Sequence, residues 1–135
     1  MSNLAPSLNL IPKERVGDTW ELAGGYISKA VNGTELTSAT LRKWAIDGKA
    51  QLWFAWSDRC EAAAITQLII VPSGVWCIIL ALGGKDMDNW LCLLDELEGW
   101  ARESGAKQMR IYGRKGWARK LTDYKVTRFV LDKEL

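Results

Sequence analysis

The chain has 135 residues, the size of one ordinary domain, with 48% hydrophobic and 25% charged residues. This balance excludes a disordered chain, and a formal net charge of +2 is too small to indicate nucleic-acid or membrane binding by itself. No stretch reaches the roughly 20 apolar residues of a membrane span, and the N-terminus lacks the pattern of a secretion signal, so we expect a cytoplasmic protein.

The three cysteines predict no metal site. Cys60, Cys77 and Cys92 lie inside apolar runs without CxxC spacing, and the chain has no histidine to complete a zinc site. Free cysteine behaves as a small core residue, so we expect buried, reduced thiols and a reducing compartment.

The N-terminal residues 1–14 contain Pro6 and Pro12 among small polar residues and predict an extended arm. The remainder, 15–135, shows no linker, repeat or low-complexity run and is interpreted as a single domain. Apolar positions at helical spacing predict a first helix over 15–31.

A second short helix follows the Asn32-Gly33 break. Thr37 or Ser38 can cap it, and Gly48 ends it. The period then changes from helical to alternating, which indicates the start of a sheet.

Three consecutive strands are predicted next. Apolar and other residues alternate over 51–56, a mostly apolar segment covers 61–71, and a Pro-Ser-Gly turn leads into 75–82. The last segment, VWCIILAL, is apolar at every position, as expected for a central strand covered on both faces.

A long helix should follow the central strand, with Asp86 as its N-cap and Gly105 at its end. The segment KQMRIYG then predicts a strand parallel to the central one, because a helix connects the two. A short helix around Trp117 and a final alternating strand over 122–131 complete the order ααβββαβαβ, a mixed α/β sheet protein.

This order resembles the GCN5-related N-acetyltransferase (GNAT) superfamily over residues 15–135, without its first and seventh strands. The stretch LALGGKDMDNWLCLLDELEGWARESGAKQMRIYGRKGWARKLTDY is also similar to small GNAT-like proteins of tailed bacteriophages. The resemblance implies an acetyl-CoA-dependent N-acyltransferase with a small amine substrate.

In this superfamily a glycine-containing loop after the central strand binds the coenzyme A pyrophosphate at the start of the next helix. Only the glycine pair of that motif matches, and Asp86 and Asp88 place negative charge beside the expected anion. The alternative is a sharp strand-to-helix turn. The resemblance assigns cofactor binding to the loop residues Leu82, Gly83, Gly84, Lys85, Asp86 and Met87. Arg114 and Lys115 are added as basic residues able to contact the coenzyme A phosphates.

The family's catalytic tyrosine, which protonates the departing thiolate, is replaced by Thr122 at the matching position. Tyr112 and Tyr124 are therefore the candidate proton donors, with a core or rim role as the alternative. Glu61 is the candidate carboxylate for handling the amine proton, with hairpin polarity as the alternative.

Residues 110–128 form a basic strip with seven cations and one acid, Asp123. Such a strip can contact phosphates or an acidic protein, or it can solvate a sheet edge. Because aromatic residues and arginine are enriched at interfaces, we assign partner binding or self-association to five residues. They are Trp44, Trp53, Trp117, Arg119 and Lys120.

Two functions therefore stay open at this point. One is an N-acyltransferase with a degenerate pyrophosphate loop. The other is a catalytically inactive scaffold of the same fold, acting in phage virion structure or assembly and located in the host cytoplasm or the virion. A nucleic-acid-binding protein ranks below both, since the basic strip alone supports it.

Overall fold

The computed structural model describes residues 5–135 and is built on one five-stranded sheet whose strands follow each other in chain order. The strands are β1 (Ser7–Ile11), β2 (Gln51–Trp56), β3 (Cys60–Val71), β4 (Gly74–Gly84) and β5 (Ala106–Ile111). Neighbours from β1 to β4 are antiparallel, whereas β4 and β5 are parallel because a helical crossover joins them.

Helices cover both faces of this sheet. They are α1 (Lys13–Val31), α2 (Ser38–Ile46), α3 (Leu94–Glu103) and α4 (Trp117–Lys120). α1 packs against one face of β2, β3 and β4, and α2 packs against α1, with its buried Leu41 and Ala45 in the same core. α3 packs Leu97 against Trp53 and Ile79 on the other face. The predicted mixed α/β class is confirmed.

The central position of β4 is also confirmed. The strand lies between β3 and β5, and Cys77, Ile78 and Ile79 in its middle are fully buried. A strand covered on both faces needs apolar side chains at every position, which explains why the alternating pattern disappears here.

Part of the predicted N-terminal arm belongs to regular elements, since Ser7–Ile11 forms β1 and α1 already begins at Lys13. Ser7 pairs with Trp56 and Ile11 pairs with Leu52, so β1 forms the antiparallel edge beside β2. Pro6 and Pro12 lie just outside the five paired residues, where a missing N–H costs no ladder hydrogen bond. Residues 1–4 of the predicted arm lie outside the described residues.

The long helix predicted to begin after Asp86 is wrong in its first half. Asp86 has a left-handed backbone (φ 50°) and its side chain caps nothing, and α3 begins only at Leu94. Two 3₁₀ turns, Met87–Asn89 and Leu91–Leu93, replace the first turns. In a 3₁₀ helix residues three apart share a side, so Met87, Trp90 and Leu93 all face the alanine-rich surface of the sheet.

The same turns change the environment of one thiol. Cys77 is buried and Cys60 is half-buried, but Cys92 is exposed on the outer side of the second 3₁₀ turn. The expectation of three buried thiols is therefore wrong for Cys92.

The final strand predicted over 122–131 is absent from the sheet. The chain turns at Tyr124, whose hydroxyl donates to Glu98 Oε2 on α3 at 2.7 Å. Beyond it the apolar side chains are exposed, with Phe129 at 84% and Leu131 at 93%. An alternating pattern shows strand preference but cannot show whether an edge is present for pairing.

The part of the chain that the structure describes contains no helix long and apolar enough to cross a membrane.

Removing residues 126–135 should change the free energy of unfolding by less than about 0.5 kcal/mol, because these side chains are all exposed. Denaturant unfolding of the shortened and full chains measures this. A second truncation that also removes Tyr124 should be clearly destabilising, because it deletes the hydrogen bond to Glu98. Equal stability of the two truncated chains would contradict the packing described for Tyr124.

Candidate functional site at the end of strand β4

The parallel strands β4 and β5 diverge halfway along β4. Their pairing runs from Val75 opposite Ala106 to Ile79 opposite Ile111, and Tyr112 N donates to the Ile79 carbonyl at 3.0 Å. β4 continues to Gly84, paired with β3 alone. Among residues 5–135, the edge of β4 over 80–84 therefore has no strand partner on the β5 side.

A β-bulge marks the point of divergence. Ala81 is opposite Ile65 and Ile79 is opposite Thr66, so Leu80 is an extra residue on β4. A bulge bends its strand and redirects the local backbone, and such features recur beside active sites. The free edge thus begins at an irregularity of the strand.

The predicted glycine turn is the last part of β4. A Cβ on Gly83 would lie 2.8 Å from the Tyr26 carbonyl of α1. A Cβ on Gly84 would lie 2.6 Å from the Glu61 carbonyl and would also collide with Ala62. Close packing against α1 and β3 therefore accounts for both glycines.

The loop after β4 is held by its own backbone and by one indole. Lys85 N donates to the Glu61 carbonyl at 3.0 Å, and Trp90 Nε1 donates to the Lys85 carbonyl at 2.7 Å. Because 3₁₀ turns follow, no α-helix N-terminus points at this loop. The anion site that such a terminus would supply is missing.

A shallow polar hollow lies beside the loop. It is lined by Asp86, Met87, Asp88, Asn89 and Lys120. Lys120 Nζ lies 3.6 Å from Asp88 Oδ1, and both side chains are largely exposed. Two of the predicted cofactor-binding residues, Asp86 and Met87, thus line a hollow that contains two acids and one lysine.

The segment after β5 reaches back across the end of β4. Arg114 Nη2 donates to the Lys29 carbonyl in the last turn of α1 at 2.8 Å. The ring centroids of Trp117 and Trp90 are 6.4 Å apart. The Trp117 indole also lies against Gly113, where a Cβ would collide with it. Arg114 is thereby tied to the end of α1, and Lys115 follows it in the same exposed segment.

Glu61 is the extra residue of a second bulge, opposite β2, and is only 8% exposed. Its Oε1 accepts hydrogen bonds from Ser57 Oγ at 2.8 Å and Arg59 Nε at 3.3 Å. These two bonds lower the pKa of Glu61, so the side chain is an ionised carboxylate at neutral pH. Its Oε2 is buried and has no hydrogen-bond partner in the described part of the chain.

Tyr26 of α1 lies beside this carboxylate, and nothing in the sequence pattern singled it out. Its hydroxyl donates to the Cys60 carbonyl at 3.0 Å, and burial raises its pKa, with Cys60 and Glu61 adding to the shift. Burial likewise raises the pKa of the Cys60 thiol to about 11, which leaves it a neutral group. No pattern in the sequence marks this corner, because the register shifts at both bulges appear only in the paired strands.

The two candidate tyrosines occupy different environments. Tyr112 is half exposed and follows the last paired residue of β5, directly at the divergence. Tyr124 is engaged with Glu98, and burial, followed by that hydrogen bond, raises its pKa strongly. Of the two tyrosines, Tyr112 is the one whose backbone lies at the point where β5 leaves β4.

The predicted interface tryptophans also differ in how far they are buried. Trp53 is only 4% exposed, donates to Thr66 Oγ1 at 2.9 Å and packs edge-on against Trp100, so its assignment to a partner surface is wrong. Both faces of β2 are covered, so the strand lacks the solvent-facing side that its alternating pattern suggested. Trp44 and Trp117 are half-buried, while Arg119 and Lys120 are exposed on α4.

No family model and no curated protein matches this chain in sequence. Solved structures do match in fold. An aminoglycoside acetyltransferase from an uncultured soil metagenomic sample, in complex with sisomicin, is 10% identical with a TM-score of 0.67, over 96% of this chain and 97% of that chain. A GNAT family acetyltransferase from Staphylococcus aureus is 12% identical with a TM-score of 0.67, over 100% of both chains.

A further structure, a predicted acetyltransferase with acetyl-CoA from Clostridium acetobutylicum, is 12% identical with a TM-score of 0.66, over 96% of each chain. At these identities the likeness shows the fold alone. The predicted GNAT fold is confirmed.

Within residues 5–135 there is no group of three His, Cys, Asp or Glu side chains arranged to hold a metal ion.

Alanine at Gly83 or Gly84 should lower the free energy of unfolding by about 1 to 3 kcal/mol, because each added Cβ overpacks a backbone contact. Gly99→Ala is the control, since its Cβ meets nothing within 4 Å in α3 and should stabilise by up to about 1 kcal/mol. Chemical denaturation measures all three. Unchanged stability in the Gly83 and Gly84 variants would show that packing does not require these glycines.

Proposed function

We propose that the protein is an acyl-CoA-dependent N-acyltransferase that binds the pantetheine arm of acetyl-CoA along the free edge of β4, residues 80–84. The unpaired edge beginning at the Leu80 bulge carries this proposal. A strand edge presents N–H and C=O groups in a row, and the amides of pantetheine can pair with them as another strand would.

The coenzyme A diphosphate is less easily accommodated at this end of β4 than the pantetheine arm is along its edge. The loop lacks a helix N-terminus, and Asp86 and Asp88 repel an anion at this point. Basic side chains must therefore hold the diphosphate. Lys85 follows the edge directly, while Arg114 and Lys115 reach it from the segment after β5. Arg114 uses one nitrogen on the Lys29 carbonyl and keeps its other donors.

Acetyl-CoA supplies an acetyl thioester, whose carbonyl carbon an amine nitrogen attacks as the carbon–sulfur bond breaks. The N–H groups of the β4 edge at the bulge orient that carbonyl and stabilise negative charge on its oxygen. Tyr112, whose backbone lies at the divergence, donates its hydroxyl proton to the departing sulfur, and the proton that the acylated nitrogen loses returns to Tyr112 through water. The gap between the strands positions the amine.

A scaffold without catalysis is the second candidate. It is favoured by the acidic loop and by exposed apolar residues after Tyr124, which suit a protein partner. The similarity to small bacteriophage proteins supports a place in virion assembly in the host cytoplasm, with Trp117, Arg119 and Lys120 as contacts. Binding of acetyl-CoA separates the two candidates.

Calorimetric titration with acetyl-CoA should give a dissociation constant in the micromolar range. Replacing both Lys85 and Lys115 by Ala should weaken binding by about tenfold or more, because charge-assisted contacts to the diphosphate are lost. The matched control replaces Lys125 and Lys133 by Ala. These substitutions change the net charge equally, but both residues lie in the exposed C-terminal segment. Absence of heat at millimolar acetyl-CoA would contradict catalysis and favour the scaffold.

The two tyrosines should respond oppositely to Phe. Tyr112→Phe should keep stability and lower turnover by about 100-fold, as expected for loss of a proton donor. Tyr124→Phe should cost roughly 1.5 kcal/mol of stability through the lost Glu98 bond and leave turnover unchanged. Turnover by thiol release and unfolding in denaturant provide the readouts. The reverse pattern would make Tyr124 the donor.

A further inference from the structure

The turn that follows α1 carries an Asn-Gly pair that the proposed reaction does not use. Asn32 is the residue after the last helical position, and Gly33 follows it with a left-handed backbone (φ 84°). Both residues are exposed. Asparagine is among the residues that degrade chemically in water. Its side-chain amide is lost when the backbone nitrogen of the next residue attacks it, so the reactivity of Asn32 depends on Gly33.

The backbone nitrogen of Gly33 is available for such an attack. Within residues 5–135 it donates no hydrogen bond, whereas the next amide, Thr34 N, donates to the Val31 carbonyl at 3.0 Å. A Cβ built on Gly33 would meet nothing within 4 Å, so the space around this position is open. Glycine also lacks the side chain that would hinder a close approach to its own nitrogen.

The Asn32 side chain is equally unrestrained. In the described part of the chain, the side-chain hydrogen bonds of this turn come from Thr34, whose hydroxyl donates to the Val31 carbonyl at 2.7 Å and accepts from Leu36 N at 3.1 Å. The Asn32 amide takes part in neither bond. Nothing in the fold therefore holds the amide away from the Gly33 nitrogen.

The remaining asparagines within residues 5–135 lack this combination. Asn9 lies in β1, its side-chain amide is hydrogen-bonded, and Leu10 follows it. Asn89 lies in a 3₁₀ turn and precedes Trp90, which is buried and whose backbone nitrogen donates to the Met87 carbonyl at 3.1 Å. In both places a large side chain shields the nitrogen that would have to attack.

We propose that Asn32 is a site of spontaneous modification, where the folded chain loses ammonia through a succinimide formed with Gly33. The Gly33 nitrogen gives its proton to water and attacks Asn32 Cγ, the Cγ–Nδ2 bond breaks, and the leaving nitrogen takes up a proton from water. A second water molecule opens the ring. Its attack at Cγ gives aspartate, and its attack at the main-chain carbonyl carbon gives isoaspartate, so water is the only co-reactant.

The product changes the end of α1. A carboxylate at position 32 lies where the helix carbonyls already carry partial negative charge, which is unfavourable. Arg114 is bound to the same helix end, through the Lys29 carbonyl at 2.8 Å. Isoaspartate also lengthens the main chain at the start of the turn that leads to α2. The modification goes beyond the acyl transfer and does not depend on acetyl-CoA.

Peptide mapping by mass spectrometry tests the site on the full-length folded protein, aged for days at mildly alkaline pH. Conversion of amide to carboxylate should be at least about tenfold faster at Asn32 than at Asn9 or Asn89, because only Asn32 precedes glycine. An isoaspartyl O-methyltransferase with labelled S-adenosylmethionine should label the peptide that contains residue 32. Asn32→Gln should remove the label from that peptide. Similar rates at the three asparagines would overturn the inference.

Gly33→Ala should slow the reaction at Asn32 by about tenfold, because the added methyl group hinders the attacking nitrogen. Gly25→Ala is the matched control, since Gly25 is exposed in α1 with equally open space around it, and it should leave the rate unchanged. Circular dichroism compares the folding of these variants. An unchanged rate in folded Gly33→Ala, or aspartate formed without isoaspartate in the wild type, would mean direct hydrolysis by water and would contradict the succinimide. The second of these results does not require any variant to fold.

Discussion

The unequal lengths of the two neighbours of β4 determine how this molecule is built around its gap. β3 accompanies β4 to Gly84, but β5 stops pairing at Ile79. Peptide groups left without a partner at the centre of a sheet are unfavourable unless water or a ligand binds them. The bulge at Leu80, the glycine pair against α1 and the segment that carries Arg114 back to α1 are all arranged around that opening.

The sequence predicted the parts of this arrangement that follow from local pattern. A continuous apolar run identified β4 as the central strand, and helical spacing identified α1 and α2 close to their observed limits. The remaining elements were determined by packing between parts of the chain that are distant in sequence. The segment after Asp86 has a strong helical pattern, yet Trp90 and Leu93 must reach an alanine-rich surface, and 3₁₀ turns bring them there.

The site was harder to predict than the fold. Glu61 was identified as a candidate from residue type and location alone, while its orphan oxygen depends on a bulge that no periodicity reveals. The prediction placed Trp53 on the surface because alternation assigns residues to two faces of a strand. The pattern does not show whether both faces are covered in the folded protein. The C-terminal segment shows the same limit, since a strand pattern needs an edge that only the assembled sheet supplies.

Hydrogen exchange of the β4 amides, with and without acetyl-CoA, tests the free edge most directly. Amides within 80–84 that face the gap should exchange faster than those of Cys77 to Ile79 in the free protein, and saturating acetyl-CoA should slow them. Slow exchange throughout 80–84 in the free protein, or rates there that acetyl-CoA leaves unchanged, would contradict an edge open to pantetheine.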